Sequence, residues 1–169
     1  MSLAVTYRTT KWNLIAFNLR EIGRRWTIRV ALVLFGIYHF GVLVPHYFAM
    51  PGSTLRHIAA ASLFTLGLVV VVSIAVLASL WFMFSTSQNA GVLTEHRLTI
   101  SEDGITEVTP VNRTEHSWAG VPLIERNSRY IYIYTQQYGA HVIPVNAFSS
   151  PQTATEFFVE AQRLWRAFQ

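Results

Sequence analysis

From Ile58 to Phe84 the chain runs 27 residues without a formally charged side chain. As a helix this stretch is about 40 Å long, more than the ~30 Å of hydrocarbon in a bilayer. Fifteen of its residues are Leu, Ile, Val or Phe. At roughly −0.3 to −0.6 kcal/mol each near the helix centre, they favour insertion by several kcal/mol. The rival reading is a core helix of a soluble protein, but 169 residues are too few to wrap a solvent-free helix of this length. Charged residues make up only 13% of the chain, against about 25% in soluble domains.

A second uncharged run covers Val30–Phe48, roughly 28 Å of helix. Pro45 near its far end is placed to kink or stop it. A cleaved leader is disfavoured, because 29 residues precede this run and no A-x-A pattern follows. The link from Pro45 to His57 is short and contains Pro51-Gly52-Ser53. The expectation is an antiparallel hairpin of membrane helices over about 30–48 and 58–84. Arg8, Lys11, Arg20, Arg24, Arg25 and Arg29 precede the hairpin, whereas the link carries Arg56 alone. Positive-inside counting then places both termini in the cytoplasm. Trp26, Tyr47 and Trp81 fit the aromatic belts at the two interfaces.

Residues 1–90 carry seven Lys/Arg and one acid, and residues 91–169 carry six Arg and eight acids. The basic character therefore belongs to the membrane flank and does not mark a nucleic-acid surface. The chain has no cysteine, which removes disulfides, thiolate catalysis and cysteine-ligated zinc. His39, His46 and His57 gather around one membrane face, but no carboxylate joins them and their spacings match no compact ligand motif. The expectation is a neutral His39 bonded between helices and two interfacial histidines, with no metal. Ala75 and Ser79 form a small-xxx-small pair that would permit close helix approach.

Residues 1–29 form a basic N-terminal segment. Ala4–Thr10 is short and β-prone. Over Lys11–Trp26 the apolar residues Trp12, Ile15, Leu19, Ile22 and Trp26 recur at three- and four-residue steps, an amphipathic helix. Trp12, Arg20, Arg24, Arg25 and Trp26 are the candidate lipid-interface residues. The competing reading packs this stripe against the C-terminal domain; Leu14 and Phe17 lie on the opposite face, so the helix could serve both contacts.

Ser85–Gly91 (STSQNAG) reads as a linker, and residues 91–169 as an α+β cytoplasmic domain. Glu102-Asp103-Gly104 is a hairpin turn signal. Further turns are expected at Asn127-Ser128 and Tyr138-Gly139, and six strand candidates lie between the turns. Tyr130–Thr135 (YIYIYT) is apolar on both faces and reads as a central strand whose hydroxyls need partners. Ser150 and Pro151 start a terminal helix. Its stripe is Ala154, Phe157, Phe158, Ala161, Leu164, Trp165 and Phe168. A curled antiparallel sheet capped by that helix, in the manner of a pleckstrin-homology (PH) barrel, is the economical packing.

Four segments resemble the YcxB-like family of bacterial membrane proteins: FNLREIGRRW at 17–26, RLTISEDGI at 97–105, Trp118 within HSWAGVPLI, and IPVNAFSS at 143–150. The resemblance implies two membrane helices and a cytoplasmic PH-like domain in a bacterial inner membrane. It implies no activity and no catalytic residues. Val145 stands where such families often carry a basic residue, which weakens an anion-binding role for that loop.

No phosphate loop, H-E-x-x-H, G-x-S-x-G or paired-carboxylate signature is present. Glu115-His116 and Glu95-His96 are adjacent strand residues, whose side chains point to opposite faces. The expected function is a non-catalytic binding module for a protein or a lipid headgroup, with no cofactor. Arg113, Arg126 and Arg129 are its candidate contact surface. The alternative is an immunity protein or inhibitor of a cognate toxin or membrane partner. The bilayer is one partner and an unidentified protein another; homo-oligomerisation through the hairpin is compatible with both readings.

Overall fold

The computed structural model describes residues 2–39, 41, 44–49, 51, 53–85, 91–136 and 139–169, without the Tyr47 side chain. Most of the expected 85–91 linker and Tyr138 of the expected turn lie outside these residues, as does the Tyr47 ring. The chain divides into two compact units, residues 1–17 with 84–169, and residues 18–83.

The first unit is α+β. Strands β1 (Leu3–Arg8), β2 (Glu95–Ser101), β3 (Gly104–Val108) and β4 (Arg113–His116) form one antiparallel sheet in that order. Strands β5 (Leu123–Arg126), β6 (Tyr130–Gln136) and β7 (Gly139–Pro144) form a second. The boundary expected at Gly91 therefore differs from the structure. β1 pairs along its length with β2, Leu3 opposite Ile100 and Arg8 opposite Glu95. Its inward residues Val5 and Tyr7 join the core with Leu98, Ile100, Ile131, Ile133 and Ile143. A β-prone segment ahead of two apolar runs shows no local sign of a strand partner almost ninety residues away.

The β2–β3 turn requires Gly104. Its φ is +142°, and a Cβ there would stand 2.3 Å from the His116 carbonyl oxygen. Trp118, within a 3-10 turn between the sheets, is fully buried and donates its indole N–H to the Ser101 carbonyl at 2.7 Å. The double-sided character of β6 is explained by its two neighbours. Ile131 and Ile133 face the inter-sheet core, while Tyr132 and Tyr134 form a second cluster with Phe17 and Val142.

Phe17 belongs to helix α1 (Lys11–Arg24). The expected stripe on this helix divides between buried and exposed positions. Trp12 and Leu19 are exposed, and the buried positions are Asn13, Ile15, Phe17 and Glu21. Arg25 is extended (φ −69°, ψ 122°), so Trp26 opens the next helix instead of closing this one.

The terminal helix α5 (Pro151–Arg166) starts as expected. Ser150 Oγ accepts the Thr153 N–H at 3.1 Å, and Pro151 takes the first turn. Ala154, Phe157, Ala161 and Leu164 are buried, and Trp165 Nε1 donates to the Val121 carbonyl at 2.7 Å. Phe168 is not on the stripe, because the helix ends at Arg166 and leaves it exposed.

The second unit contains α2 (Trp26–Tyr38), α3 (Val44–Phe48) and α4 (Thr54–Met83). Among the described residues α4 is the one helix long and apolar enough to cross a membrane. Its 30 residues span about 45 Å, and its Leu, Val, Ile and Phe side chains are largely exposed. Over the run expected as one helix, 30–48, the described residues are α2, π-helical His39 and Gly41, and α3. α2 has 13 residues, about 20 Å, and Pro45 lies in the first turn of α3, where its missing N–H costs nothing. Within α4, Thr65, Ser73 and Ser79 donate their hydroxyls to the carbonyls four residues back, each at 2.7 Å.

Candidate functional site

The three candidate arginines are not brought together. Arg113, on edge strand β4, donates from Nη2 to Glu115 Oε1 at 2.7 Å, with both side chains exposed. Arg126, at the end of β5, donates to Thr155 Oγ1 at 2.8 Å and lies 6.0 Å from the centre of the Phe158 ring. Those two serve the fold. Arg129 differs: its backbone is fixed, and no partner of its guanidinium is found among the described residues. Asn127 Oδ1 accepts the N–H groups of Arg129 and Tyr130, both at 2.8 Å, and the Arg129 carbonyl accepts Val145 N–H at 2.8 Å.

Arg129 lines an open cleft of about 680 Å³ together with Arg8, which ends β1. The β5–β6 turn, the segment 144–151 and the start of α1 complete its wall, and among the described residues its lining contains no acidic side chain.

A second polar site lies at the seam of the two sheets. Glu107 on β3 reaches the first sheet's His96 and the second sheet's His141. Glu107 Oε1 accepts from His96 Nδ1 at 2.9 Å and from His141 Nδ1 at 3.0 Å. The Glu107, His96 and His141 side chains are 16%, 8% and 10% exposed. His96 Nε2 faces the Val92 carbonyl at 2.8 Å. Both its ring nitrogens thus face acceptors, an arrangement that only the imidazolium satisfies. Burial opposes that charge, but the bond to Glu107, the bond to Val92 and the Glu107 charge outweigh it, and the His96 pKa is raised. Burial alone would raise the Glu107 pKa; the hydrogen bonds from His141 and His96 and their charges hold it well below the carboxylate range. Tyr7 stacks on His96 with ring centres 5.3 Å apart. Its phenol pKa is pushed far up, by burial first, then by the Glu107 charge and the hydrogen bond to Glu107. His116 packs edge-on to His141 at 5.7 Å, and its pKa is lowered by burial and by repulsion from His141. Tyr7, His96, Glu107 and His141 border a cavity of about 370 Å³.

Strand alternation correctly separates Glu95 from His96 and Glu115 from His116, yet it hides this cluster. The signal was the turn. Pairing Ser101 with Gly104 sets Leu98 opposite Glu107, so His96 is the diagonal neighbour of Glu107 on the same face. His141 comes from the other sheet and had no such signal.

Of the candidate lipid-interface residues, Trp12 is 65% and Trp26 72% exposed. Arg24 and Arg25 are exposed, and Arg20 is half-buried. His39 Nε2 lies 2.7 Å from Thr65 Oγ1. Since Thr65 donates to Ala61, the histidine is the donor in this bond. His57 packs edge-on to Phe48 at 5.7 Å, and His46 is exposed. Among the described residues no three His, Asp or Glu side chains are grouped to hold a metal ion.

Residues 100–159, from the end of β2 into α5, match the family model of YcxB-like proteins, the family the sequence resembles. The match takes in Trp118 and the 143–150 segment, and excludes FNLREIGRRW. No curated protein and no solved structure matches the chain.

Proposed function

We propose that this chain, YcxB-like over residues 100–159, is a two-span protein of a bacterial inner membrane. It holds a small PH-like unit at the cytoplasmic face as a non-catalytic binding module for a protein or a lipid headgroup. One observation carries the topology. β1 and β2 pair in one sheet, yet the exposed, apolar α4 lies between them in sequence. A chain that crosses a bilayer through α4 must cross back to complete that sheet, so the number of crossings is even. The return falls to residues 26–48, which carry α2 and α3. The basic N-terminal flank puts the sheet on the cytoplasmic side. The four- and three-stranded sheets with a terminal helix across their core support the PH-like reading.

The chain has no cysteine, so single cysteines at Ser53 and Ser149 are unique labels. In intact cells Ser53→Cys should react with an impermeant maleimide and Ser149→Cys only after lysis. Labelling of Ser149→Cys from outside, or extraction of the protein by alkali without detergent, would overturn the topology. Crosslinking in membranes then sorts the partner classes: an adduct with one cognate toxin would replace the module reading by the inhibitor one.

A further inference from the structure

We infer that the cleft shared by Arg8 and Arg129 binds the phosphate ester of a small polyol. The inference rests on the binding-module reading and names its ligand. Its volume, about 680 Å³, is that of a small-molecule site, which typically encloses some 300–1,000 Å³. Two arginines share it without an acidic residue in the lining. Elsewhere in the unit Arg113, Arg126 and Arg163 are committed to Glu115, Thr155 and Glu160. Among the described residues no carboxylate lies within ion-pair distance of Arg8 or Arg129. Glu95 stands opposite Arg8 in the ladder without pairing with it.

The backbones beneath these two side chains are fixed. Arg8 occupies the last rung of the β1–β2 ladder, and Thr9 N–H donates to the Thr94 carbonyl at 3.0 Å. Arg129 is held by the Asn127 side chain and by Val145 N–H. A rigid base under an uncommitted guanidinium lowers the entropy lost on binding. The 144–151 loop contributes no charge of its own, Val145 included, so both cations come from the flanking strand and turn. Guanidinium forks suit phosphate oxygens. The remaining polar lining consists of hydroxyls and amides, Thr10, Ser128, Ser149 and Asn146 among them, which match the hydroxyl groups of a polyol. A phospholipid headgroup and a soluble phosphate ester present the same chemistry.

The full-length protein in neutral detergent, titrated calorimetrically with glycerol 1-phosphate, should show saturable binding that glycerol and sodium chloride at matched ionic strength do not. Arg8→Gln and Arg129→Gln should each weaken it about tenfold or more, the share of one charge-assisted contact. Arg129→Lys should retain part of the affinity, and Arg113→Gln all of it. Hydrogen exchange at residues 127–130 and 145–150 separates the sources. Protection in phosphatidylglycerol nanodiscs without added ligand identifies the headgroup; protection in phosphatidylcholine nanodiscs only on adding glycerol 1-phosphate identifies the soluble ester. Absence of saturable heat overturns the inference, as does undiminished affinity in the two Gln variants. Failed titration with the expected Ser53→Cys labelling removes this ligand and leaves the membrane module standing; the converse result removes the topology alone.

Discussion

Replacing Glu107 with Gln keeps the shape of the side chain and deletes its charge. The carboxylate receives His96 Nδ1, His141 Nδ1 and the Tyr7 hydroxyl. A glutamine has one carbonyl oxygen and an NH2 group that cannot accept, so at least one buried donor loses its acceptor, at about 1–3 kcal/mol. The imidazolium of His96 also loses its counter-ion. The site is partly exposed, so that loss is nearer 1 kcal/mol than the 3–5 of a fully buried pair. The sum is about 2–4 kcal/mol, or some 10–20 °C in Tm for a folded unit of this size. Thermal and urea melts of the full-length protein in detergent, followed by near-UV circular dichroism of the packed tryptophans, would read it. A double-mutant cycle with His96→Gln should give a coupling of about 1 kcal/mol or more. A Glu107→Gln protein within about 0.5 kcal/mol of wild type, or strict additivity in the cycle, would refute the reasoning.

The same cluster sets a pH dependence. The raised His96 pKa gives stability that is complete below its ordinary value near 6.5 and is lost as pH rises through the higher folded value. The depressed Glu107 pKa gives stability present above about pH 4.3 and lost as pH falls toward its low folded value. His116 acts in the opposite direction from His96: its lowered pKa favours the fold above about 6.5 and weakens it below. Urea midpoints of His116→Asn should therefore fall on the alkaline side and hold at pH 5–6, whereas His96→Gln should flatten the alkaline fall. Gly104→Ala should destabilise by at least about 1–3 kcal/mol in urea titration, since its Cβ meets the His116 carbonyl. Ser150→Ala should cost about 1 kcal/mol in the same assay through the lost cap, and Ser150→Gly only a few tenths. Residues 91–169 expressed alone should aggregate on size exclusion, because β2 loses its partner and Val5 and Tyr7 leave the core; a monodisperse, cooperatively melting species would show that β1 is dispensable.

Features set by neighbours in sequence were legible: the E-D-G turn, the Ser150 cap, the apolar α4 and the double-faced β6. The stripe of α1 is legible as a period, but amphipathicity does not say which partner covers it, and within the protein Ile15 is buried while Trp12 and Leu19 are exposed. Phe17 outcompetes Trp12 and Leu19 since the outer tyrosines of β6 present a matching surface. Arg25 broke the period where composition gave no warning. The seam at Glu107 needs one member from each sheet, and the Arg8–Arg129 cleft needs β1 in place. Neither is visible until distant segments meet.

The sheet also imposes an order of assembly. Leu3 is synthesised ahead of its partner Ile100, which follows almost a hundred residues later, some 5–20 s at typical ribosome speeds. If the chain takes the proposed two-span topology, both apolar runs meet the lipid during that interval while the first strand waits unpaired. The fold closes only if the polypeptide has returned to the compartment from which it left. In the proposed two-span topology, a molecule in which one crossing failed would keep a gap where the first strand belongs, with an open strand edge for proteases to find. Under that topology the clasp formed by β1 and β2 would be a proofreader of membrane insertion.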